Sequence, residues 1–178
     1  MSDIFYIASN APLTERLNPH EKLLSVNEAL NLGMKDIPDF MLEECFDKDK
    51  PKVLLYSDRA ITINADGTIE DGDFDDDFSI WLTEKDCGMK TEKEFCGILE
   101  WTKYTSGRAK EVIRYLEEQL INTSEIELWH IWIEEGVFHR LNKKVISIKD
   151  LTPEDIEALD KKEVCMEPMT DYCYCIVR

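Results

Sequence analysis

The stretch EFCGILEWTKYTSGRAKEVIRYLEEQLINTSEIELWHIWI, residues 94–133, decides the fold reading. FCGILEWT (95–102) is a short apolar run with aromatic and β-branched members, the composition of a strand. Thr105-Ser106-Gly107 breaks it. From 108 to 121 the apolar residues Ala109, Val112, Ile113, Leu116 and Leu120 recur at spacings of 3 and 4, which line one face of a helix. Asn122-Thr123-Ser124 ends that helix, and IELWHIWI (126–133) follows as the most strand-like run in the chain. Strand, helix, strand is therefore the expected core unit, with its main helix over about 107–121.

The flanking segments extend this pattern. DIFYIA (3–8) predicts a first strand, stopped by Ser9-Asn10-Ala11-Pro12, and residues 13–24 read as loop. Ser25 precedes Glu28 by three positions, the spacing of a capping box, so a short helix over 26–32 is expected, closed by Gly33. Pro38 suits the first turn of another short helix reaching Glu44. VLLY (53–56) predicts a strand. Residues 60–64 and 68–70 flank Ala65-Asp66-Gly67, whose Asp-Gly pair marks a hairpin turn. FSIWLT (78–83) resumes strand character, Gly88 and Gly136 mark turns, and 145–148 reads as strand. Thr152-Pro153-Glu154-Asp155 combines a hydroxyl cap, a proline at the first position and acids in the first turn, the start of a helix with Ile156 and Leu159 inward. YCYCIV (172–177) closes the chain as a strand.

These elements predict an α+β fold: an antiparallel or mixed β-sheet, one main helix and shorter helices. From residue 95 the order is strand, helix, strand, strand, helix, strand, which is that of the split βαβ, ferredoxin-like arrangement. IELWHIWI sits awkwardly in it. Both alternating sets of that run are apolar, which suits an interior strand covered on two sides and not an edge. With 178 residues and neither an internal repeat nor a low-complexity linker, the chain reads as a single α+β domain over 1–178, in which 1–85 elaborates a core formed by 95–178.

Composition narrows the partners. An apolar share of 43% argues against wholesale disorder. Lys+Arg 21 against Asp+Glu 38 gives a net charge of −17. Such a field opposes binding to phosphate backbones and anionic membranes, which depends on lysine and arginine, and it attracts basic proteins. No apolar run approaches the ~20 residues of a membrane span, and the N-terminus has no signal-peptide pattern. A cytoplasmic protein with reduced thiols is the expectation.

The acidic run EDGDFDDD (70–77) is the most distinctive local feature. Extended, it would place Asp71, Asp73, Asp75 and Asp77 on one face at period 2. The calcium-loop pattern fails, because Ile69 or Asp71 falls where glycine is required. We expect Asp71, Asp73, Asp75, Asp76 and Asp77 to form a partner-binding patch on a solvated loop. The six cysteines (45, 87, 96, 165, 173 and 175) contain no C-x-x-C pair, so they read as structural; no metal or cofactor is expected. Cys173 and Cys175 would share one face of a strand. His130, inside an apolar strand, reads as a hydrogen-bonded core histidine. No nucleotide-binding loop, nucleophile elbow or H-E-x-x-H motif is present. The favoured function is an acidic binding protein, an inhibitor or immunity-like factor for a basic protein partner. The alternative is a small enzyme assembled only in the fold, using Asp73, Asp75 and Asp77 with a divalent ion, or Cys96 with His130.

Overall fold

The structure is a computed structural model that describes residues 3–57, 61–65, 67–71, 74–85, 89–133, 139–165 and 168–178. Asp66, Asp73, Cys87, Gly88 and Gly136, singled out above, lie outside the described residues. In chain order the elements are β1 (Asp3–Ser9), β2 (Glu21–Leu24), α1 (Val26–Asn31), α2 (Asp39–Leu42), β3 (Leu54–Ser57), β4 (Ile61–Ile63), β5 (Ile69–Asp71), β6 (Ser79–Thr83), β7 (Phe95–Glu100), α3 (Ser106–Gln119), β8 (Glu125–Trp132), β9 (Arg140–Ser147), α4 (Pro153–Asp160) and β10 (Thr170–Val177). The fold is mixed α+β, and among the described residues only α3 and α4 exceed six residues. No helix of the described residues is long and apolar enough to cross a membrane.

The chain divides into two compact units, one formed by Met1–Asn18 with Asp73–Arg178, the other by Pro19–Gly72. The first unit carries a six-stranded sheet in the order β6-β7-β1-β8-β10-β9. β1 is antiparallel to both β7 and β8, so those two run parallel, with α3 as the crossover between them. β9 and β10 are parallel neighbours joined through α4. The ferredoxin-like order does not occur. That order would put β9 between β7 and β8, and β1 occupies the slot instead. The reason lies in the side chains. Arg140, Leu141, Asn142, Lys143 and Lys144 of β9 are exposed, which suits an edge protected by lysines. DIFYIA is apolar on both faces and suits an interior position. β1 therefore belongs to the core itself and is no elaboration of it.

The two faces of the sheet follow from register. Phe5 and Ile7 on β1 pair with His130 and Leu128 on β8, and they face α3 and α4. Ala109, Val112, Leu116 and Leu120 of α3 and its cap meet Ile156 and Leu159 of α4 in this core. Tyr6 and Ala8 point the other way, in rows with Trp129, Cys173 and Ile98 and with Cys96 and Cys175. The helix stripe expected from spacing is the buried one, except that Ile113 is half-buried while Tyr115, Arg108 and Gln119 join the interior. β8 is buried along six of its eight residues, as an interior strand should be.

The second unit is built from small pieces. β2 pairs antiparallel with β3, and β4 with β5 through the expected hairpin, where Gly67 takes φ +82°. β2 lies in what reads as loop from the sequence. Ser25 and Glu28 form the capping box of α1, and Gly33 has φ +76° just beyond its end. Leu24, Val26, Ala29, Ile37 and Leu54 make this unit's core.

Leu116 is fully buried under the sheet. Leu116→Ala should lower stability in a denaturant melt by ~2–5 kcal/mol. A loss below about 0.5 kcal/mol, the range of surface substitutions, would show that α3 presents a different face.

Candidate functional site

The acidic run does not form one extended strand. Asp71 is the last residue of β5, and the segment 74–78 is a turn in which the Phe78 amide bonds to the Asp76 carbonyl at 2.9 Å. Asp75 is exposed and Asp76 half-buried. Asp77 is fully buried, unlike a docking residue, and forms an ion pair with the equally buried Arg108 at 2.9 Å. Asn18 Nδ2 donates to its other oxygen at 2.6 Å.

This pair is tied to the start of α3. Thr105 caps the helix by accepting the Arg108 amide, and the Arg108 guanidinium turns back to donate to the Lys103 carbonyl at 3.0 Å. Asp75 lies over the first turn so closely that a Cβ on Gly107 would come within 1.5 Å of its Oδ1. A side chain at 107 would have to displace the exposed Asp75 carboxylate.

The histidine and the cysteines are brought to opposite faces. His130 stacks on Phe5 with centroids 4.2 Å apart, and its Nδ1–H donates to the Leu159 carbonyl at 2.8 Å. A carbonyl only accepts, so Nδ1 carries the proton. Cys96 pairs with Ala8 on the other face, and β1 separates β7 from β8. The Cys96–His130 nucleophile pair is therefore not assembled. Burial pushes the Cys96, Cys173 and Cys175 thiols up, away from the reactive thiolate.

On the helix-bearing side, a cleft of about 670 Å³ opens between β1, the end of β7 and the end of α4. Asp3, Glu100 and Asp160 line it together with Phe5, Trp101 and Tyr104, and Lys103 is the one basic residue among the described residues that line it. Asp160 is the last residue of α4, where the backbone carbonyls gather negative charge and no basic residue stands in the last turn. Among the described residues its carboxylate makes no hydrogen bond or ion pair. Burial pushes its carboxyl up, and Asp3 adds to this against the opposing influence of His130. Nothing in the sequence flagged Asp160 beyond one sign, an acid at the wrong end of a helix.

The other face carries a second polar centre. Glu127 is 4% exposed between Ala8 and Cys175 in register. Its Oε2 accepts from Thr91 Oγ1 at 2.6 Å and Trp129 Nε1 at 2.9 Å, and its Oε1 accepts from Lys143 Nζ at 2.9 Å. Burial alone would raise its carboxyl. The bonds from Thr91, Lys143 and Trp129 outweigh that and hold it below the ordinary glutamate range. A cleft of about 480 Å³, lined by Glu127, Lys143, Lys90, Lys93 and Glu125 among others, leads to it. Glu127 was legible as an acid inside a strand apolar on both sides, but its partners come from residue 91 and from β9.

Comparison with protein-family models, with curated proteins and with solved structures finds no match to this chain.

Breaking the buried ion pair leaves Arg108 charged inside the protein. Asp77→Asn should therefore cost ~3–5 kcal/mol, while Asp75→Asn should stay within about 0.5 kcal/mol. Equal effects in a pair of urea melts would contradict the placement of these two residues. Glu127 generates a pH dependence. A folded-state carboxyl that titrates below its unfolded counterpart stabilises the fold above the ordinary value of 4.5, and that contribution is lost as pH falls through the folded value. Glu127→Gln should flatten this part of the acid-denaturation profile. An unchanged acid limb would assign it to other carboxylates.

Proposed function

We propose that this is an acidic binding protein for a basic polypeptide, in the manner of an inhibitor or immunity-like factor, and that the Asp160 cleft receives a lysine or arginine side chain of that partner. The observation that carries the reading is Asp160 itself. Burial, the negative helix end and Asp3 disfavour the ionised carboxylate, His130 and Lys161 offset this only in part, and among the described residues it has no hydrogen-bond donor. An incoming cation relieves all three penalties at once. Local conflicts of this kind are kept where function needs them. Trp101 and Tyr104 supply aromatic faces on which a guanidinium or ammonium can rest. The net charge of −17 adds long-range attraction for a basic partner and accelerates encounter. The exposed Asp75 and the half-buried Asp76 add to the negative charge that such a partner meets, while Asp77 serves the fold.

Calorimetric titration with an oligo-arginine peptide tests the reading. The wild-type protein should bind it, with affinity falling as salt rises. Asp160→Asn should weaken that binding and at the same time stabilise the free protein by about 0.3–1 kcal/mol, the size of a helix-end charge effect. Binding untouched by Asp160→Asn would remove the cleft from the interaction, and absence of binding by the wild-type protein would overturn the reading.

A further inference from the structure

We propose that Glu127, Cys173 and Cys175 are the ligands of a single thiophilic divalent metal ion such as zinc, and that Lys143 holds the place of that cation when the metal is absent. The Cys173 and Cys175 sulfurs and a Glu127 carboxylate oxygen all lie within 4.8 Å of one another. The two sulfurs are 3.9 Å apart. Zinc bound tetrahedrally at Zn–S distances of about 2.3 Å separates two thiolate ligands by about 3.8 Å, so little movement is needed. The strand geometry sets this up. Residues two apart on β10 project to one face, and Glu127 stands in register beside Cys175 on β8.

The carboxylate is already oriented as a metal ligand would be. Thr91 and Trp129 both hold Oε2, which leaves Oε1 as the ligand atom. Second-layer donors of this kind fix a ligand's direction and tune its basicity. Oε1 meets only the Lys143 ammonium among the bonds described, and that ammonium also lies 5.1 Å from the Trp129 ring centre. Lys143 is 40% exposed along its side chain, so its ammonium can swing into the cleft and solvent while a metal ion enters by the same opening.

The step balances without redox chemistry. The two thiols release their protons to solvent, two metal–sulfur bonds and one metal–oxygen bond form, and water leaves the aquo ion. Three ligand anions around a dication leave one negative charge, which the displaced ammonium of Lys143 neutralises from nearby. Thiolate ligands select zinc, cobalt or cadmium over magnesium and calcium. Because the thiols must lose their protons to bind, metal affinity rises with pH.

The test uses the full chain, reduced and stripped with chelator, with Cys45, Cys87 and Cys165 replaced by serine so that these three thiols do not contribute. Cobalt(II) is titrated first and then displaced by zinc. The expected result is one equivalent of cobalt with the intense visible bands of a tetrahedral site, sulfur-to-cobalt charge transfer, and release of two protons per metal. Cys173→Ser should weaken cobalt binding by at least ~10-fold. Lys143→Met removes the competing cation and should tighten it. The Lys143 variant retains all three ligands, so the proposal stays testable if a cysteine variant fails to fold. A cobalt spectrum lacking tetrahedral and charge-transfer bands, or one that persists in the Cys173→Ser/Cys175→Ser double variant, would overturn the site. Unchanged affinity in Lys143→Met would overturn the role of the lysine.

Discussion

The pairing of β1 with both β7 and β8 is the constraint on which the first unit depends. Seven residues near the start of the chain hold together two parallel strands that α3 connects. Because both faces of β1 are buried, its register admits no slippage. A shift by one residue would send Phe5 and Ile7 away from the helices and drive Tyr6 into them. Both proposed sites hang from this register. Phe5 fixes His130, which bonds the end of α4 and so places Asp160. Ala8 is small enough to leave Glu127 room between Cys96 and Cys175.

The charged groups divide into those the fold consumes and those it leaves in tension. Arg108 and Asp77 satisfy each other and anchor the start of α3 to the turn before β6. Breaking such a pair is costly even though the pair itself adds little net stability, because of desolvation. Asp160 is the opposite case, a carboxylate placed where burial and the helix end both disfavour its charge. Glu127 lies between the two, hydrogen-bonded through both oxygens, yet with a half-exposed lysine as one of its partners. The positions in tension are the ones to which we assign binding.

Much of the architecture was legible because hydrophobic spacing is a local property. The α3 stripe, the capping box at Ser25, the Thr152-Pro153 helix start and the two-faced burial of IELWHIWI all follow from neighbours in sequence. Strand order was not legible, because element order alone does not say that β1 displaces β9 from the interior. The polarity of Arg140–Lys144 holds that information, but apolar content alone marks the strand only from Val145 onward. The site was harder still. Asp77 looks identical to Asp75 and Asp76 in a run of acids, and only the distant Arg108 separates a buried ion pair from a solvated side chain. Glu127, Thr91, Lys143 and Cys173 come from four segments whose meeting depends on sheet register.

The strand β1 is an interior strand of the sheet and not a peripheral addition. Native-state hydrogen exchange of the β1 amides tests it most directly. The Tyr6 and Ile7 amides should exchange only through global unfolding, with the same free energy and the same denaturant dependence as the amides of Leu128 and Trp129 on β8. Exchange of the Tyr6 and Ile7 amides by local fraying, at free energies well below those of β8, would contradict the sheet order on which both proposed sites rest.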